Sequence, residues 1–165
     1  TSRTIQADAL FTSTPGLTLT LRIADCQGFC VYDPVHKVIG LIHCGWKGVL
    51  ARVIPHSIEL MKREWHSDPA DLFVGAAPSL CKKCSEFTDP RKELPGFPPD
   101  LIDGRCADLQ EAAERQFDAS GVPRSSFERL ADCTRCNPDT YWTYRGGDKD
   151  EVIKGNTNVL TCALL

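Results

Sequence analysis

The sequence predicts an α/β (α+β) fold of mixed β-sheets flanked by helices. Three observations carry that expectation. Leu17, Leu19, Leu21 and Ile23 alternate with Thr18, Thr20 and Arg22, the period of a half-buried strand. Val49, Val53, Ile58, Met61 and Trp65 recur at helical spacing. Asp108 to Ala119 repeats that amphipathic pattern and is stopped by Gly121 and Pro123.

The remaining elements follow in order. Phe29 to Tyr32 reads as a strand closed by the turn Asp33-Pro34. Val38 to His43 reads as another, and its run Val-Ile-Gly-Leu-Ile is apolar enough to be buried on both faces. A helix is expected from Trp46 to Trp65, with Pro55 kinking or restarting it. Leu72 to Val74 is a short strand. Residues 88–104 hold Pro90, Pro95, Pro98 and Pro99 with two glycines, which predicts a long surface loop. Strands return at Phe127–Leu130, Tyr141–Tyr144 and Val159–Leu164.

At 165 residues the chain is long enough for one domain, and 42% apolar with 25% charged residues is ordinary for a folded protein. Lys plus Arg is 19 and Asp plus Glu is 22, a net charge of −3. That balance suggests neither nucleic acid nor an anionic membrane as partner. Mean hydropathy is −0.23, and no apolar run approaches the roughly 20 residues of a membrane helix. The chain opens at Thr1, and its first ten residues lack the apolar core of a signal peptide. Nine cysteines without a secretion signal point to a reducing, cytoplasmic setting with thiols free for metals or catalysis. Cys30, Cys106 and Cys162 read as small buried hydrophobes.

Two segments carry the sharpest chemical signal. Arg22-Ile23-Ala24-Asp25-Cys26 ends one strand; His43-Cys44-Gly45-Trp46-Lys47-Gly48 leaves another and enters a helix. Strand ends that feed helix N-termini are where open sheets place ligands. Gly45 and Gly48 allow a tight turn, the helix start suits an anion, and Lys47 adds charge. Cys26 and His43 could meet there as metal ligands or as a nucleophile–base pair, with Asp25 orienting the histidine or acting as a base. The alternative is that Cys26 belongs to the core and His43 is a satisfied strand-end side chain.

Ala7-Asp8-Ala9-Leu10, Thr14-Pro15-Gly16, Ala24-Asp25-Cys26 and His43-Cys44-Gly45-Trp46-Lys47-Gly48 resemble the ADALVT, TPG, TADC and HAGWRG segments of the YfiH family. Asp108-Leu109, Cys133-Thr134 and Tyr141-Trp142-Thr143-Tyr144-Arg145 extend the resemblance in the right order. Proteins of that family go under the names multicopper polyphenol oxidoreductase (laccase) and purine nucleoside phosphorylase. The resemblance implies a three-layer fold and a zinc site in which Cys26 and His43 are two ligands. The family's other histidine lies in an upstream QVHG segment that this sequence does not contain. The chain therefore reads as a single domain, 1–165, without the family's N-terminal portion. Cys44 or a partner chain is left as the source of the third ligand, and His36, His56 and His66 read as surface residues. Lys47 stands where the family has arginine, and Arg145-Gly146-Gly147-Asp148 replaces an RRDG run.

Cys81-Lys82-Lys83-Cys84 and Cys133-Thr134-Arg135-Cys136 are two further C-x-x-C motifs. Together they could form a tetrahedral structural zinc site tying the Pro-rich loop to the C-terminal strands.

The activity implied by the resemblance is zinc-dependent phosphorolysis of purine nucleosides, with adenosine deamination beside it. Phosphate would be bound by Arg22, Gly45, Lys47 and Arg145, and a homo-oligomer is compatible with this. One alternative is copper-dependent, laccase-like polyphenol oxidation, against which stand only four histidines and no H-x-H pair. A metal-free Cys26/His43 hydrolase and a non-catalytic nucleoside-binding member complete the alternatives.

Overall fold

A computed structural model describes residues 6–165. Residues 1–5, part of the segment read for a signal peptide, lie outside it. The strands are β1 (Ala9–Thr12), β2 (Thr18–Ile23), β3 (Gln27–Asp33), β4 (Val38–Cys44), β5 (Phe73–Ala76), β6 (Ile102–Asp103), β7 (Cys106–Ala107), β8 (Phe127–Arg129) and β9 (Asn158–Ala163). The helices are α1 (Trp46–Leu50), α2 (Val53–Trp65), α3 (Pro90–Glu93), α4 (Leu109–Ala119) and α5 (Lys149–Lys154).

A five-stranded sheet has the order β1-β4-β3-β5-β8, antiparallel except where β5 meets β8. Its centre is the β3–β4 hairpin, held by Asp33. That buried carboxylate accepts the N–H groups of Val35 and His36 and also bonds the His36 ring, an Asx turn.

Side-chain alternation splits the apolar residues between two layers. Phe29, Val31, Val38, Ile42 and Cys44 face the helices and pack with Ile54, Ile58 and Met61 of α2 and Phe117 of α4. Each such side chain, fully buried, contributes about 1.5–3 kcal/mol. The Phe29 and Phe117 rings meet edge to face at 5.1 Å. Ile39 and Leu41 face the other way, toward a two-stranded ribbon of β2 and β9, where they meet Leu19 and Leu164. Helices, sheet and ribbon thus form the three expected layers. α4 begins where expected, because the Asp108 side chain accepts the Glu111 N–H as an N-cap.

Three expectations are corrected, and one strand is added. The helix over 46–65 is two helices, broken at Ala51–Arg52 by the left-handed Arg52 (φ 56°), and Pro55 sits harmlessly in the first turn of α2. Residues 88–104 are not a plain surface loop: they contain α3 and β6 and bury Pro90, Leu94, Phe97 and Leu101 against the core. Tyr141–Tyr144 is not a strand. The Asn158 side chain takes both the N–H and the carbonyl of Trp142, so the segment satisfies its backbone without a neighbour. Ala9–Thr12, read only as a motif, is an edge strand whose Phe11 ring covers Gly40 of β4.

Candidate functional site

The β3–β4 register brings the two chemical segments together. Gly28 pairs with His43 and Gln27 with Cys44, so Cys26 falls beside Gly45 just beyond the sheet. The Cys26 sulfur and the His43 ring come together on either side of Gly45. A Cβ at Gly45 would stand 2.9 Å from Cys26 Sγ and 3.9 Å from His43 Cε1, so only glycine lets the loop pass this close. Asp8 holds the other side of the histidine. Its main-chain oxygen accepts the His43 N–H at 2.7 Å, and its carboxylate bonds Nδ1 at 3.0 Å. Interaction with the Cys26 thiol pushes the His43 pKa up to about 9; burial opposes it and Asp8 assists.

Asp25 does not face His43. Its buried carboxylate accepts Thr134 Oγ1, Thr143 Oγ1 and the Arg145 main-chain N–H, each at 2.7 Å. Those bonds hold Asp25 at φ 83°, a left-handed conformation uncommon for a residue with a side chain. The carboxylate is committed to three donors, and what it does is fix the walls around Cys26.

Arg145 lies on the same wall, its guanidinium over the Phe87 ring and donating to the carbonyl oxygens of Glu86 and Cys84. Arg22 lies elsewhere: it projects from the outer face of β2 to Thr157 and the Gly155 carbonyl. Lys47 is exposed, with Nζ 5.4 Å from the Trp46 ring. The helix starting at Gly45 is only five residues long, so the strong positive helix end expected of a 20-residue helix is missing.

Cys44 is unsuited as a substitute ligand. As the neighbour of His43 on a strand it points to the opposite face, into the core, and burial pushes its thiol up to about 12. His36, His56 and His66 are exposed. Cys30 and Cys162 meet between sheet and ribbon, and burial raises both thiols. Cys106 reaches only the Lys83 carbonyl, at 3.5 Å.

Cys26, Asp25, Cys44, Gly45 and Arg145 line a cavity of about 300 Å³ with Trp46, Tyr144, Leu80, Leu109 and Ser85, and His43 lies outside that lining. Ser85 Oγ is buried there with no protein partner. A larger cavity, about 480 Å³, opens between the ribbon and the β5–β8 edge. Its walls are mainly apolar, and Cys26 lines the smaller cavity. No chemical role is expected from the sequence alone for Asp8, Ser85, Thr134 or Thr143. Asp8, Thr134 and Thr143 had a signal, their places in the ADAL, Cys133-Thr134 and Tyr141–Arg145 segments; Ser85 had none.

The second cysteine group is also assembled. The sulfurs of Cys81, Cys84, Cys133 and Cys136 all lie within 4.8 Å of one another, and no cysteine is in a disulfide. The donor set is compatible with metal binding. Burial raises the Cys133 thiol, but the N–H groups of Cys81 and Cys136 and the neighbouring thiols outweigh it and bring it down to about 7. Burial and the adjacent cysteines raise Cys84.

Residues 1–160 match the family model described as multi-copper polyphenol oxidoreductase laccase. The chain is 30% identical over 148 residues to purine nucleoside phosphorylase YlmD of Geobacillus stearothermophilus, covering 84% of this chain and 54% of that protein. It is 26% identical over 151 residues to adenosine deaminase RL5 of an unknown prokaryotic organism, covering 84% and 56%. The crystal structure of the Bacillus licheniformis hypothetical protein YfiH superposes with a TM-score of 0.79 at 26% identity, covering 96% of this chain and 61% of that one. The chain spans little more than half the length of these relatives. Fold, motifs and matches agree: the chain belongs to the multicopper polyphenol oxidoreductase (laccase) family of YfiH-like proteins.

Proposed function

We propose that this chain carries the zinc-dependent centre of a purine nucleoside phosphorylase with companion adenosine deaminase activity. The observation that supports this most is that Cys26, which lines a cavity of about 300 Å³, and His43, braced by Asp8, both come against Gly45. A sulfur and an imidazole whose second nitrogen is held by a carboxylate fit zinc in kind. Among the described residues they supply two donors, and no third His, Cys or carboxylate completes a cluster with them. Zinc bound there would supply a polarised water and an open coordination position.

The other roles fall to the chain's own groups. Trp46, Tyr144, Leu80 and Leu109 offer the flat apolar surface that a purine needs. Ser85 Oγ, buried and unpartnered, would bond a polar atom of the nucleoside. Arg145 is the cation nearest to hand for phosphate, and Asp25 positions it by holding its main-chain N–H. Gly45 leaves room for the Cys26 sulfur. Arg22 and Lys47 do not line this cavity.

Copper is the second reading, favoured by the family's description. Of the chain's four histidines, three are exposed and away from Cys26, too few for several copper ions. The test incubates zinc-loaded protein with adenosine and phosphate. Adenine with ribose 1-phosphate, and separately inosine, are expected, and both are lost in Cys26→Ala and His43→Ala. Neither product from the zinc-loaded protein, with phenol oxidation by the copper-loaded one, would replace this reading by the second.

A further inference from the structure

We propose that Cys81, Cys84, Cys133 and Cys136 bind one zinc ion in a closed tetrathiolate site, distinct from the Cys26/His43 pair, and that this ion holds the Asp25 wall of the cavity in place. Four thiolates around zinc at about 2.3 Å stand roughly 3.8 Å apart. The four sulfurs here already lie within 4.8 Å of one another, with Cys84 and Cys136 at 3.6 Å. Each pair sits on its own short turn. The Cys84 and Ser85 N–H groups close onto the Cys81 carbonyl, and the Asn137 N–H closes onto that of Cys133. The Cys81 N–H reaches across to Cys133 Sγ at 3.3 Å, joining the turns.

Charge agrees. Four thiolates with one Zn²⁺ carry a formal charge of −2. Three of the four spacer residues are cationic: Lys82, Lys83 and Arg135. The fourth, Thr134, has another task, donating its hydroxyl to Asp25.

The surroundings explain why a metal is useful. From Leu130 to Thr143 the chain forms no helix or strand. Such a segment has few internal hydrogen bonds, and metal binding is a direct source of folding free energy. The cluster touches the cavity from two sides. Leu80 and Ser85, which flank the first turn, line it, and the Leu80 N–H bonds the Asp25 carbonyl. Thr134 of the second turn bonds the Asp25 carboxylate, and the Arg145 guanidinium rests on the Cys84 carbonyl. One ion fixing both turns thereby fixes Asp25, whose neighbour is Cys26.

The metal site stands whether or not the nucleoside reading does, because its readout is metal content and backbone order. Zinc content and Co²⁺ absorption are measured on the reduced full chain, on Cys84→Ser/Cys136→Ser and on Cys26→Ser/His43→Ala. A tetrathiolate cobalt spectrum amounting to one equivalent is expected in the wild type and in the Cys26/His43 variant, over and above any metal held by Cys26 and His43, and its loss in the other. Because the cysteine variant risks misfolding, hydrogen exchange of the wild-type chain is compared before and after zinc removal. Slower exchange at 79–86 and 130–145 in the zinc-loaded protein is expected. Unchanged zinc content in Cys84→Ser/Cys136→Ser, a cobalt spectrum without thiolate character, or identical exchange with and without zinc would each overturn the proposal.

Discussion

The two cysteine regions solve opposite problems. Cys26 and His43 sit at the ends of paired strands in the best-packed part of the molecule, and backbone register alone delivers them to one place. They supply two donors, and Cys26 faces a cavity, the arrangement of a site that must keep room for a substrate. The four-cysteine group sits on irregular chain and supplies a full set of donors with no room left over. A rigid scaffold can present an incomplete site; a loose segment needs a complete one to become rigid. Asp25 joins the regions, standing beside Cys26 in sequence and bonded to Thr134 between two of the four cysteines.

Emptying the four-cysteine site should have the largest effect on stability. For metal at a thousandfold excess over its dissociation constant the linkage is about 4 kcal/mol, which for a chain of this size is roughly 10 °C in Tm. Calorimetry with and without a chelator reads it, and Cys26→Ala should leave that shift in place. Cys26→Ala should instead abolish nucleoside turnover, at least about 100-fold, with little change in Tm because the side chain is only half-buried. An equal loss of both properties in either variant would erase the division between the regions.

Substitution of the joining residue should fall between. Asp25→Asn places an amide against donors, leaves at least one buried hydrogen bond unmade, and is expected to cost about 1–3 kcal/mol in denaturant unfolding. Ser85→Ala removes no protein contact, so Tm should hold while KM for the nucleoside rises.

The smallest effect is electrostatic. In the metal-free protein the His43 pKa is raised to about 9 from about 6.5. Protonated His43 therefore stabilises the fold fully below about pH 6.5, and the contribution fades as pH rises through about 9. The stability difference between wild type and His43→Ala should shrink across that window. Asp8→Asn should move the window down, as seen by NMR titration of the ring.

Much of this was legible in the chain. The strand run Phe29–Tyr32 with its Asp33-Pro34 turn, the apolar run Val38–His43 and the amphipathic pattern of Asp108–Ala119 pointed to β3, β4 and α4, and those strands carry the site. The break at Arg52 was hidden because no glycine or proline marks it. Tyr141–Tyr144 has strand composition, and only a remote asparagine side chain, Asn158, makes it a turn. The failure of Cys44 as a ligand needed nothing beyond strand parity. The bonds from Thr134 and Thr143 to Asp25 span 109 and 118 positions, and no local pattern announces contacts at that distance.

The alternation of His43 and Cys44 on β4 also limits how this protein can diverge. Deleting or inserting one residue in that strand would exchange the two side chains, sending an imidazole into the hydrocarbon interior and a thiol into the doorway. Descendants of this gene can therefore explore the strand by point replacement but not by changes in its length.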